Sequence, residues 1–187
     1  MKPILPALGL LAALLATACD EDKAAMPPPV ALTGQAVGHY CGMVLAEHEG
    51  PKGQVLLRGR DQPVWFSSAR DTIAFTMLDE EAKAIRAVYV SDMAKAGSWA
   101  KPGDANWVEA RSAHFVLGSD RRGGMGVEEA VPFSDKAAAD RFAAEHNGRV
   151  LAFAEVPRDW VLGDGGMAPG APEQVASPPA ALPRHVH

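Results

Sequence analysis

Phe66-Ser67 followed by Phe75, and Phe133-Ser134 followed by Phe142, are the same three residues at a constant offset of 67. Both triplets fall where a short apolar run gives way to a helical pattern. A repeated junction of one kind constrains a fold more than composition does, because it repeats the unit built around it. In the first half "QVLLRG" and "PVWF" predict strands, "SSARDTIAFTMLDEE" a helix and "AIRAVYVSD" a strand. Ser68 with Asp71 forms a capping-box pattern, and Ala69, Ile73 and Met77 share one face. In the second half "WVEARSAHFVLGS" and "GVEEAVPFS" predict strands, "DKAAADRFAAEHN" a helix stopping at Asn147-Gly148, and "GRVLAFAEV" a strand. The expected fold is α+β: two similar tandem ββαβ modules, residues 37–98 and 99–162, joined through "MAKAGSWAKPGDAN". One continuous α+β domain with a chance echo is the alternative.

The ends set the compartment. Lys2, the apolar run "ILPALGLLAALLA" and the small residues of "ATAC" read as a secretory signal over residues 1–18, too short for a comfortable membrane span. Cleavage before Cys19 resembles a bacterial lipoprotein signal, with Leu15 one place off the usual spacing; cleavage of an ordinary secreted protein near Ala18 is the alternative. Residues 19–36 are polar and then Pro-rich, which suits a flexible tether. Asp20 hints at retention on the inner membrane. Residues 163–187 are a Pro/Gly/Ala-rich tail expected to be disordered. The chain carries 18 Lys+Arg against 23 Asp+Glu, a net charge of −5, and offers no basic stripe for nucleic acid.

With Cys19 given to lipid, the second of only two cysteines, Cys41, has no partner for a disulfide. Exported chains usually pair their thiols, so the lone thiol asks for a reason. It lies in "GHYCGM". In an extended segment His39, Cys41 and Met43 would share a face, roughly 6.6 Å apart along the backbone, and Gly42 would let the chain bend. A thiolate with a thioether is soft chemistry and selects Cu(I) over Zn(II) or Ca(II). Metal ligation would also protect the thiol. Packing of both residues in the core, or a nucleophilic cysteine, stays open at this point.

"YCGM", "GPKGQ", "VYVSDMAKAGSW", "HFVLGSDRRGGMG" and "VPFSDKAAADRFAAEHNGRVLAF" together resemble the NosL family over nearly all of residues 38–156. The resemblance implies a periplasmic Cu(I) chaperone, lipid-anchored through Cys19, that supplies nitrous-oxide reductase during its maturation. It implies a fold akin to the core of organomercury lyases. It implies Cu(I) held by Cys41 and Met43, with Met125 of "GGMG" a partner from the second module. Many relatives carry a further cysteine where this chain has Gly38, so a single copper is expected, with His39 a weaker candidate for the third ligand. His48 is expected to be structural or solvated, His114 packed, Met77 and Met93 core residues, and His185 and His187 weak sites at most. A copper-sequestering or sensing lipoprotein, and less readily a thiol enzyme, are the competing functions; the expectation is no enzyme. A metal-linked homodimer through paired Cys41 residues is compatible with the same ligands.

Overall fold

Phe66, the last residue of a buried strand, is followed by Ser67 and Ser68, and there the chain turns into a helix. Ser68 is the N-cap, its hydroxyl accepting from the Asp71 N–H at 3.3 Å. The computed structural model describes residues 26–79 and 84–163. The signal, Cys19 and all of the tail but Gly163 lie outside them.

Strands β1 (Gly53–Leu57), β2 (Val64–Phe66) and β3 (Ile85–Ser91) lie in the order β2-β1-β3, with β4 (Trp107–Glu109) added beyond β3. Helix α1 (Ala69–Thr76) connects β2 to β3. A second sheet takes β5 (His114–Leu117), β6 (Val131–Phe133) and β7 (Arg149–Ala152) in the order β6-β5-β7, with α2 (Lys136–His146) between β6 and β7. A short helix α3 (Arg158–Leu162) closes the described chain. The architecture is therefore mixed, with two antiparallel sheets and few helices among the described residues.

The Asp135 carboxylate accepts from the Ala138 N–H at 2.7 Å and starts α2. The helix stops where expected, since Asn147 (φ 61°) and Gly148 (φ 113°) leave helical geometry. The strand expected over "WVEARSAHFVLGS" breaks. Glu109 accepts from the Ser112 N–H at 3.0 Å and Ser112 donates back to the Glu109 carbonyl at 2.9 Å. This local pairing takes those groups from the ladder and sends β4 to one sheet and β5 to the other. β4 thus lies beyond the expected boundary at residue 98 yet pairs with β3. "GVEEAVPFS" is strand only from Val131, because the Glu129 carboxylate claims the N–H of Ala130 at 2.9 Å.

Phe115 and Leu117 of β5 join Val55, Phe66, Ile73, Val88 and Val90 in one apolar cluster, with Trp160 and Val161 of α3. The two sheets thus share a core. A smaller cluster of Val116, Val131, Phe133 and Ala139 lies under α2, and Met93 and Phe142 pack on it. Met77 packs on the main core. Two buried carboxylates link the halves at the strand-to-helix junctions. Asp92, after β3, accepts from the Ser134 N–H at 2.9 Å and its hydroxyl at 2.6 Å. Glu129, before β6, accepts from the Ser68 hydroxyl at 3.2 Å and the Arg70 N–H at 2.9 Å.

The other face of the first sheet is covered by what the composition suggested was tether. Val30 exchanges two 2.8 Å hydrogen bonds with the buried Gln54 amide. Tyr89 donates to the Pro27 carbonyl at 2.7 Å, and Val30 and Leu32 pack on Ala36, Leu45 and Trp65. From Pro27 onward this segment is a docked strap. Gln54, Trp65 and Tyr89 point away from α1, and without the strap their buried surface would face water.

Candidate metal centre

Immediately after the strap the chain reaches Cys41, in a turn and not in the expected extended segment. Val37 bridges Val44 in antiparallel fashion. Gly38 N–H donates to the Met43 carbonyl at 2.9 Å, and Gly42 N–H donates to the Gly38 carbonyl at 2.8 Å. Gly42 sits at φ 67°, a left-handed conformation that closes the turn and favours glycine. With the chain folded back on itself, the side chains of His39, Cys41 and Met43 no longer share one face as they would on a strand.

The turn is fixed to the edge of the first sheet. Gly38 forms a parallel bridge with Trp65, and the His39 N–H donates to the Trp65 carbonyl at 2.7 Å. The His39 ring lies in an aromatic group, 5.9 Å from Phe66, 5.7 Å from Phe75 and 5.0 Å from Tyr40 between centroids. Cys41 is half-buried and free. Its sulfur rests on Gly38: a Cβ there would stand 2.5 Å from Sγ. Met43 is 39 % exposed. The turn therefore presents a half-sheltered thiol two residues from an open thioether.

Met125, 45 % exposed, stands at the tip of a separate hairpin, residues 123–127. Gly123 N–H donates to the Val127 carbonyl at 2.9 Å and Gly126 N–H to the Gly123 carbonyl at 2.8 Å. This hairpin meets the first half of the chain at His48, whose Nδ1 lies 3.1 Å from the Gly124 carbonyl. His48 was expected to be merely structural or solvated, and no local pattern in the sequence marks its contact with a glycine 76 residues away. His114 is half-buried in β5, opposite Phe133 and Ala152.

Two titratable groups behind the hairpin have displaced pKa values. Glu129 is fully buried, and desolvation pushes its carboxyl up to about 8 against the pull of the hydrogen bonds from Arg70, Ala130 and Ser68. Burial likewise brings Lys52 down to about 8, opposed by the charges of Glu129 and Glu49. Its ammonium donates to the carbonyls of Glu49 at 3.0 Å and Gly50 at 2.6 Å. Among the described residues no three His, Cys, Asp or Glu side chains are grouped to hold a metal ion. A hard-cation cage is absent from them, and the turn offers the sulfurs of Cys41 and Met43 beside the imidazole of His39.

The NosL family model matches residues 29–161. The chain is 47 % identical over 156 residues to the copper-binding lipoprotein NosL of Achromobacter cycloclastes, covering 82 % of this chain and 81 % of that protein. It is 35 % identical over 153 residues to the copper-binding lipoprotein NosL of Stutzerimonas stutzeri, covering 79 % and 78 %. The crystal structure of the copper chaperone NosL from Shewanella denitrificans is similar to it with a TM-score of 0.66 at 35 % identity, over 71 % of this chain and 98 % of that one. These relatives are named for copper binding or copper chaperoning and not for a reaction.

Proposed function

The chain belongs to the NosL family, and we propose that it carries Cu(I) as cargo and hands it to nitrous-oxide reductase during assembly of that enzyme's copper sites. The observation that carries this reading is the turn at residues 38–43, which holds a half-buried free thiol two residues from an exposed thioether. Cys41 and Met43 are the first two ligands in this reading, and Met125 the third. His39 is the weaker candidate, because its ring is engaged with Phe66 and Phe75. Two soft sulfurs favour the cuprous ion. Exposed donors leave the ion open to an incoming ligand, as hand-over demands.

The signal at residues 1–18 supports export, and Cys19 supports a lipid anchor in the periplasm, with Asp20 favouring the inner membrane. We read residues 37–98 and 99–162 as copies of one ββαβ module, with β4 an addition. Support comes from the matching strand orders and from the two Phe-Ser junctions. Kinship with the organomercury lyase core rests on the family resemblance alone.

The test is an anaerobic Cu(I) titration of the mature chain against a chromophoric chelator, followed by transfer to copper-free nitrous-oxide reductase. A tight, Cys41-dependent site whose copper restores reductase activity is expected. Tight binding without transfer would make the protein a copper sink, and no Cys41-dependent binding would overturn the reading.

A further inference from the structure

The Met125 hairpin is seated on the buried Glu129 and the half-buried His48 through consecutive glycines. A Cβ on Gly123 would stand 2.6 Å from Glu129 Oε2, and one on Gly124 would stand 2.6 Å from His48 Cβ. Only the absence of both side chains lets the loop approach so closely. The base of the hairpin is closed by a bridge between Arg122 and Glu128, whose charged groups are 3.7 Å apart. The base is also tied to α3 by the Trp160 Nε1–H, which donates to Glu128 Oε2 at 3.1 Å, and the rising arm meets the rest of the molecule at Gly123 and Gly124.

The contact at Gly124 has a defined chemistry. A carbonyl oxygen has no proton to give, so the 3.1 Å contact requires His48 Nδ1 to carry one and donate it. In the neutral ring Nε2 is then a bare lone pair, and Nε2 is buried without a partner. Burying an unsatisfied polar atom is costly, so the bond through Nδ1 and the packing against Gly124 are what hold the ring in place.

His48 is in turn rigidly related to Met43. The 3-10 turn Leu45–Glu47 separates them. The His48 N–H donates to the Leu45 carbonyl at 3.1 Å and the Leu45 N–H to the Ala36 carbonyl at 2.9 Å. Leu45 itself is fully buried. On the far side, Lys52 holds the carbonyls of Glu49 and Gly50, and the Gly50 N–H donates to the Trp99 carbonyl at 2.9 Å. A continuous run of fixed contacts thus leads from Met43 through His48 to Gly124, the residue before Met125.

We propose that His48 is a positioning residue that registers the Met125 hairpin against the Cys41–Met43 turn, so that sulfur donors from two separate segments act as one Cu(I) site. This deepens the copper reading above and rests on it. The hydrogen bond through Nδ1 is the active feature; the imidazole need not touch the metal.

The experiment compares Cu(I) affinity of the mature chain in His48→Ala, His48→Asn and Met125→Ala, and in His48→Ala combined with Met125→Ala. An Asn side chain can place an amide N–H where Nδ1 stood and has nothing at Nε2. His48→Ala is expected to weaken binding about tenfold, the upper range for losing a single positioning hydrogen bond. His48→Asn should recover it to within about twofold, and His48→Ala should add nothing once Met125 is gone. Gly124→Ala, which lifts the hairpin off His48, should reproduce the His48→Ala loss while leaving His48 intact. Unchanged affinity in His48→Ala, an Asn variant as weak as Ala, or additive losses in the double variant would each overturn the proposal. Cys41→Ala run alongside separates the two levels. Tight binding that survives it defeats the copper reading itself, whereas Cys41-dependent binding without His48–Met125 coupling defeats only the inference.

Discussion

The sulfur of Cys41 occupies the space a side chain at position 38 would need: a Cβ on Gly38 would lie 2.5 Å from it. Gly38 has an ordinary backbone conformation, so alanine is tolerable there for the main chain. The thiol must then rotate away, at an off-rotamer cost of about 1 kcal/mol. Gly38→Ala should weaken Cu(I) binding about tenfold while shifting the denaturation midpoint little. Chelator competition and urea melts read the two effects separately, and an unmoved affinity would show that the sulfur's position on Gly38 is irrelevant to the metal.

Cys41→Ala should abolish tight Cu(I) binding, and Met43→Ala should weaken it by roughly ten- to a hundredfold, about 1.4 kcal/mol per factor of ten. Neither side chain is in the main core, so thermal stability should hold. With the Cys41 thiolate as the proposed ligand, Cu(I) binding should release a proton and tighten as pH rises. A titration in two buffers of different ionisation enthalpy would detect the proton. Affinity flat with pH would place the metal elsewhere.

Glu129 predicts an inverse dependence of stability on pH. Its carboxyl is raised from 4.5 to about 8, so between those values the folded chain binds more protons than the unfolded one. The linkage slope is therefore negative: this contribution is fully present below pH 4.5, is lost as pH rises, and is gone above about 8. The slope approaches about 1.4 kcal/mol per pH unit. Lys52, lowered from 10.5 to about 8, acts in a separate window, adding stability as pH rises from about 8 to 10.5. Glu129→Gln keeps an oxygen for Ser68, Arg70 and Ala130 and should flatten the lower window. Urea midpoints between pH 5 and 8 that fall equally in both proteins would reject this account.

The strap should be part of the folding unit. A soluble chain beginning at Gly34 loses the paired bonds between Val30 and Gln54 and the cover over Trp65. Relative to one beginning at Met26, which also keeps the Tyr89–Pro27 and Leu32–Asp104 bonds, it should lose about 5 kcal/mol, from these four hydrogen bonds and two partly buried aliphatic side chains. Equal urea midpoints would return these residues to the status of linker.

Local physics made several features legible in the sequence. Ser68 and Asp135 start their helices because a side-chain oxygen can cap free N–H groups, a relation within three residues. Asn147-Gly148 stops α2 for an equally local reason. Cys41 draws notice because exported chains usually pair their thiols, and Met43 because a thioether two residues on is soft chemistry. What escaped depends on distant partners. The strap looks like linker because Pro27–Val30–Leu32 has no periodicity; its order comes from Gln54 and Tyr89. The turn at residues 38–43 departs from the extended expectation because a left-handed Gly42 is invisible in composition. His48 and Glu129 gain their roles from Gly124 and Ser68, many residues away in sequence.

The strap shortens the leash on which a lipid at Cys19 would hold the protein. Counted to Gly34 or beyond, a loose tether would let the copper turn wander far from the bilayer. Docked from Pro27, only eight peptide steps remain, at most about 29 Å fully extended. Were the chain to hand over copper while anchored there, as proposed, its search for a client would run across a shallow layer along the membrane plane. A recipient would then have to bring its metal port down into that layer.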